Sequence, residues 1–159
     1  MYTIEQIEDA FITALDPLKA SLGVRDIKTY QGELDNEDEI AKALKIMPAV
    51  LLVYGGSLFA DHGNRKLETM KFLLFVCDKN LRRESEARRG GAINPGTYSM
   101  LNGVRDLLCN QQAGLINITP VNLVREDPVW FGRGVTVYLA EYETSQELIY
   151  KNRTVQTIK

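Results

Sequence analysis

The chain has 159 residues, enough for one domain with a sizeable buried core. Its 45% hydrophobic and 25% charged content excludes disorder throughout, and a net charge of -2 argues against a general nucleic-acid binder. Residues 1–40 carry ten acids against three bases, net -7, while residues 61–90 carry eight bases against five acids, net +3. Such an imbalance gives either two solvated faces or two patches that meet head to tail between copies.

Thr3 is an N-cap candidate, with Gln6 three residues on to complete a capping box. Ile4, Ile7, Phe11, Ala14, Leu15 and Leu18 then recur at helical spacing, and Pro17 should bend or end that helix near Asp16. Gly23 closes the unit, and Val24 to Tyr30 alternates as a short strand. The acids from Glu33 to Glu39 lead into a second, shorter helix at Ile40, Ala41, Leu44 and Ile46, capped by Asp35 or Asn36. They do not form a calcium loop, because the twelve-residue pattern with its central glycine is absent.

Pro48 opens a nearly continuous apolar strand, Ala49 to Tyr54, which Gly55-Gly56 should break or bulge. Leu58 to Ala60 continue the pairing before a turn at 61–64, and Lys66 to Asp78 is the strongest strand, giving an antiparallel hairpin. After Pro95-Gly96, a helix presents Tyr98, Leu101, Val104, Leu107 and Leu108 on one side. Gly103 in its middle implies close packing against a neighbour. Ile116 to Arg125 reads as a strand, and Val135 to Tyr142 as the last long one. The expected fold is α+β: one domain over residues 1–143, with a largely antiparallel sheet and two to three packed helices. Residues 144–159 read as a polar tail, either mobile or draped over a partner.

Between the strongest strand and the third helix lies Asn80 to Gly96, a stretch of charge, glycine and proline too polar for a core. It reads as a long loop without regular structure, which marks a functional or a disordered segment. Its four arginines, Arg82, Arg83, Arg88 and Arg89, are the candidate partner-binding residues. No aromatics interleave them, and Glu84 and Glu86 dilute their field, so protein contact fits better than a phosphate backbone.

No catalytic set accompanies them. The single histidine, His62, falls in a turn without a nucleophile beside it. Gly55-Gly56 and Gly90-Gly91 lack phosphate-loop spacing, and Asp61, Glu68 and Lys71 lack a distinctive nuclease spacing. Cys77 and Cys109 read as buried free thiols without metal-ligand spacing. The expectation is a non-enzymatic protein with no cofactor and no metal. The first twenty residues lack the basic-then-apolar order of a signal peptide, and no apolar run reaches membrane-spanning length, so assembly in the cytosol is expected.

One succession of segments resembles a known family. The order is Pro48 to Gly56, Phe72 to Arg82, Ala87-Arg-Arg-Gly90, Pro95-Gly-Thr-Tyr98, a helix ending Asp106-Leu-Leu108, and Ile118-Thr-Pro-Val121. Over about residues 1–143 this is similar to the Mu-like phage and prophage tail terminator (tail completion) proteins. The resemblance implies a virion protein, assembled in the bacterial host cytoplasm, that forms a six-membered ring on the tail tube of a contractile-tailed particle. Its implied partners are other copies of itself, the tube and sheath, and the head-side connector, with no membrane and no specific nucleic acid. A head-completion or neck protein is the alternative within that class, and a nucleic-acid-binding module using the arginines is the alternative outside it. On this reading the acidic first forty residues meet the basic segment Arg65 to Arg89 of the next copy, with the arginines ordering on contact.

Overall fold

A computed structural model describes residues 1–149. Helix α1 (Ile4–Leu15) starts at the expected capping box, with the Thr3 hydroxyl accepting from the Gln6 N–H and the Gln6 side chain accepting from the Thr3 N–H. Pro17 opens a separate short helix, α2 (Pro17–Leu22), which Gly23 ends in the left-handed conformation. Strand β1 (Asp26–Thr29) and helix α3 (Glu37–Ala43) follow, α3 being capped by the Asn36 side chain. A 3-10 turn at Leu44–Ile46 leads into β2 (Ala49–His62) and β3 (Arg65–Lys79). Then come α4 (Glu84–Arg89), α5 (Thr97–Leu108), β4 (Asn122–Gly132) and β5 (Val135–Leu148).

The five strands form one sheet in the order β1-β2-β3-β5-β4. Only β1 and β2 run parallel; every other pairing is antiparallel. The fold is therefore the expected single-domain α+β one, with more helices than the two to three the sequence suggested. Gly55-Gly56 does shift the β2–β3 register, as expected of a glycine bulge.

Strand alternation divides the apolar residues between two faces. Val50, Leu52, Phe72, Leu74 and Tyr142 face α1, α2 and α5, where Ile7, Phe11, Leu15, Val104 and Leu108 complete the larger core. Phe11 and Tyr54 both pack their rings at a tilt against Phe72, at 5.0 and 5.8 Å between ring centres. Gly103 lets α5 approach α2: a β-carbon there would lie 2.7 Å from the Leu18 side chain. On the opposite face, Ala49, Leu51, Cys77, Val135 and Val137 make a smaller core with Ile40 and Ala43 of α3 and with Met47.

Two outer segments depart from the sequence reading. The strand expected over 116–125 lies further on: Ile118 makes only an isolated bridge to Gln146, and β4 spans Asn122–Gly132. It is an edge strand, which accommodates Pro128 and two register shifts that would break a central strand. The last strand, expected to end at Tyr142, continues to Leu148, so residues 144–148 belong to the sheet. Their polar character had a different cause. Gln146 is buried; its side-chain oxygen accepts from the Tyr2 N–H, and its amide donates to the Tyr2 carbonyl and the Glu68 carboxylate. The remainder of the expected tail, residues 150–159, lies outside the described residues.

Tyr142 carries a testable anomaly. Its ring is fully buried, and its hydroxyl has no hydrogen-bond partner among the described residues. Burial also pushes the phenol pKa up. Since an unpartnered buried hydroxyl opposes folding, Tyr142→Phe is expected to raise stability by about 1 kcal/mol in denaturant unfolding. A destabilised variant would show that the hydroxyl is satisfied after all.

Glu141, on the other sheet face, is nearly buried and accepts from Arg125 at 2.8 Å and Lys71 at 3.0 Å. The Arg125 hydrogen bond first, and Lys71 second, hold its carboxyl below the ordinary 4.5. A depressed carboxylate contributes stability that is complete above its unfolded value and is lost as pH falls through its folded value. Glu141→Gln should thus cost about 1 kcal/mol at neutral pH, reduced by the partial exposure of both cations. The difference from the unaltered protein should close as pH drops below about 4.5. A gap that persists undiminished in acid would refute the assignment.

Candidate functional site

The segment from Asn80 to Gly96 is not the structureless loop its composition suggested. It contains α4, whose Ala87 is fully buried, and its ends are latched together by polar side chains. Asp78, buried at the end of β3, accepts from the Asn94 side-chain amide at 2.8 Å and from the Gly96 N–H at 2.7 Å. Asn80 accepts from the N–H groups of Arg82 and Arg83 and donates to Glu86 and to the Asn94 side chain. Asn94 donates to the Glu86 carbonyl as well. Burial pushes the Asp78 carboxyl up despite these donors. The backbone that carries the arginines is thus held by contacts within the chain, in a segment for which the sequence suggested ordering on contact.

This latch holds the four candidate arginines at one end of the sheet in three different situations. Arg88 lies over the Phe131 ring, 5.4 Å from its centre, in a row that continues through Tyr138 to Tyr98. Arg83 is paired with Glu86 at 3.0 Å. Arg82 and Arg89 are exposed and make no ion pair among the described residues. Exposed apolar side chains accompany them, Leu81 at 65% and Ile93 at 77%. Arginine and aromatic side chains beside exposed aliphatics match the composition of protein-binding surfaces.

The proposed basic patch from Arg65 to Arg89 is not one surface. Strand β3 separates Arg65 from Lys79 by roughly 45 Å at the usual rise per residue. Arg65 pairs with Glu147 at the hairpin end, and Lys71 is engaged by Glu141 on the sheet face. Lys79 donates to the Leu44 carbonyl. The acidic residues divide too: Glu5 and Glu8 lie on α1, against the larger core, and Glu37, Asp38 and Glu39 lie on α3, across the sheet. Glu37 to Glu39 of α3, and Asp26 at the start of β1, lie at the same end of the strands as α4. Arg133, in the β4–β5 turn, reaches Glu37 there at 3.3 Å.

The sequence did not reveal the feature beside those acids. Ile40, Ala41 and Leu44 of the α3 region face Trp130 and Val135 across a narrow apolar cleft of about 70 Å³, rimmed by Glu37 and Arg133. Trp130 was the available signal, but its place in an edge strand that also holds Pro128 is set by pairing with β5.

The remaining candidates are scattered. His62 sits in the hairpin with its ring 3.2 Å from Glu147. Glu68 and Lys71 project from opposite faces of β3, Glu68 toward Ser57 and Gln146 and Lys71 toward Glu141. Cys77 is buried, and Cys109 half-buried, as free thiols. Among the described residues no group of three or more histidines, cysteines and acids is placed to hold a metal ion. No helix among them is long and apolar enough to cross a membrane.

Comparison with solved structures finds a chain titled "Virion of native gene transfer agent (GTA) particle", with a TM-score of 0.56 at 13% identity. The match covers 92% of this chain and 99% of that one, so the two share a fold over nearly their whole lengths. No curated protein matches the sequence. Residues 3–147, from the capping box of α1 to the end of β5, match the family described as Bacteriophage Mu, Gp37, and the chain belongs to that family.

Proposed function

We propose that this protein is a non-enzymatic structural subunit of a phage or prophage-derived virion, and that it caps the tail tube. Family membership over residues 3–147 is the observation that carries the reading, supported by a fold shared with a virion chain. In this role it forms a ring with other copies of itself, ends tail polymerisation and offers a surface to the head-side connector. Arg82, Arg83, Arg88 and Arg89 supply part of a protein-binding face, carried by α4 and the two residues before it. A preordered face loses less conformational freedom on docking than a mobile loop would.

The test is to locate the protein in intact particles by gold labelling with an antibody. Label confined to the head-proximal end of the tail is expected. Label along the whole tail, or on the capsid shell, would refute capping; label on the neck of tails that end normally without the protein would reassign it to head completion.

A further inference from the structure

Self-association in a capping ring has a specific interface available to it, and the assignment of that interface rests on the capping reading. Helix α4 and the turn after it belong to the face of the sheet that carries α5, and α3 covers the opposite face. The two elements share one end of the strands yet look outward in opposite directions. Their surfaces are complementary in two independent respects. The α4 side offers exposed Arg82 and Arg89 without ion-pair partners among the described residues, with the exposed Glu84 between them in sequence and an exposed Ile93 four residues beyond Arg89. The α3 side offers exposed Asp38, next to a Glu37 that the chain's own Arg133 reaches at 3.3 Å, and beside them the apolar cleft between Ile40, Leu44 and Trp130.

We infer that the α4 surface of one copy docks on the α3 cleft of the next, Ile93 entering the cleft while Arg89 meets Asp38. Such a contact is heterologous, because each copy uses one patch to the left and a different patch to the right. Rotation about a ring axis carries every patch to an equal height. Two complementary patches at the same end of the strands therefore suit a closed ring whose axis follows the strands, rather than a rising filament. Of the two sheet edges, β1 and β4, the longer is a poor competing route. Strand β4 is interrupted by Pro128 and two register shifts, which disfavour edge-to-edge pairing between copies.

Cysteine trapping in purified particles tests the contact. In a Cys109→Ser background, the chain carrying both Arg89→Cys and Asp38→Cys is expected to give, on oxidation, a ladder of species ending in a closed one. Either cysteine alone should leave monomers. Both positions are exposed, so folding is not at stake. Ile93→Asp should lower the yield of trapped rings at least about tenfold, as expected for an apolar anchor. Monomers alone, from particles that an immunoblot shows to contain the doubly substituted protein, would overturn the interface and leave the capping reading standing. Absence of the unaltered protein from particles would overturn the capping reading, and the interface with it.

Discussion

Replacing Gly96 with alanine is expected to destabilise the protein by roughly 3–5 kcal/mol, through backbone strain added to overpacking. Gly96 has φ +81 and ψ 145, a conformation that side-chain-bearing residues rarely adopt. A β-carbon there would lie 2.2 Å from the Gly90 nitrogen and 2.6 Å from the Arg88 carbonyl oxygen, and backbone cannot swing aside as a side-chain tip can. Gly90 is confined in the same way, its β-carbon position only 2.3 Å from the Pro95 carbonyl oxygen. The two glycines let the ends of the arginine segment cross in contact, and the Gly96 N–H reaches the buried Asp78 carboxylate at that crossing. Denaturant unfolding measures the loss, and hydrogen exchange over residues 80–96 shows where it falls. Gly63→Ala is the control: its φ is also positive, but the space around it is open, so only about 1 kcal/mol is expected. Equal stability of Gly96→Ala and the unaltered protein, with 80–96 still protected from exchange, would contradict the latch.

The second large effect is functional. Reversing Arg82 and Arg89 together to glutamate should reduce capped tails by about a hundredfold or more, since like charges set against an acidic partner cost several kcal/mol. The choice of residues comes from the structure. The sequence offers all four arginines alike, but Arg88 is packed over Phe131 and its loss would also remove that contact. Arg83 is already engaged by Glu86. Arg82 and Arg89 are exposed, so their reversal should change stability by no more than about 0.5 kcal/mol. Tail capping is counted by electron microscopy and stability measured in parallel on the same variant. Normal capping by a folded Arg82→Glu, Arg89→Glu protein would remove the arginines from the partner-binding face.

Local signals carried much of the fold. The Thr3–Gln6 capping box, the break at Pro17, the Gly55-Gly56 bulge and the β2–β3 hairpin are each encoded within a few neighbouring residues, and each is present in the structure. What was not legible depends on residues distant in sequence. Helix α4 is too short to be stable alone, and its fixing points, Asp78 and Asn94, are sixteen positions apart. Their burial is invisible in a segment whose composition reads as solvated loop. The available hint was a pair of short polar side chains, Asp78 and Asn80, just after the apolar run from Phe72 to Cys77. The end of β5 was hidden for a related reason, because Gln146 is buried through contacts with Tyr2, at the other end of the chain. Charge counted along the sequence also misled. A fifteen-residue strand places its two basic ends far apart in space, so the net charge of a segment does not define a patch.

The most direct test of capping is the distribution of tail lengths in an induced lysate from which this gene has been deleted. A protein that ends polymerisation, when removed, should leave tails of uncontrolled and excessive length, with filled heads unattached. Expression of the intact chain from a plasmid should restore both uniform length and joining. Tails of normal, uniform length in the deletion would contradict the account: with heads unattached they would place the protein at the neck, and with complete virions they would exclude both roles.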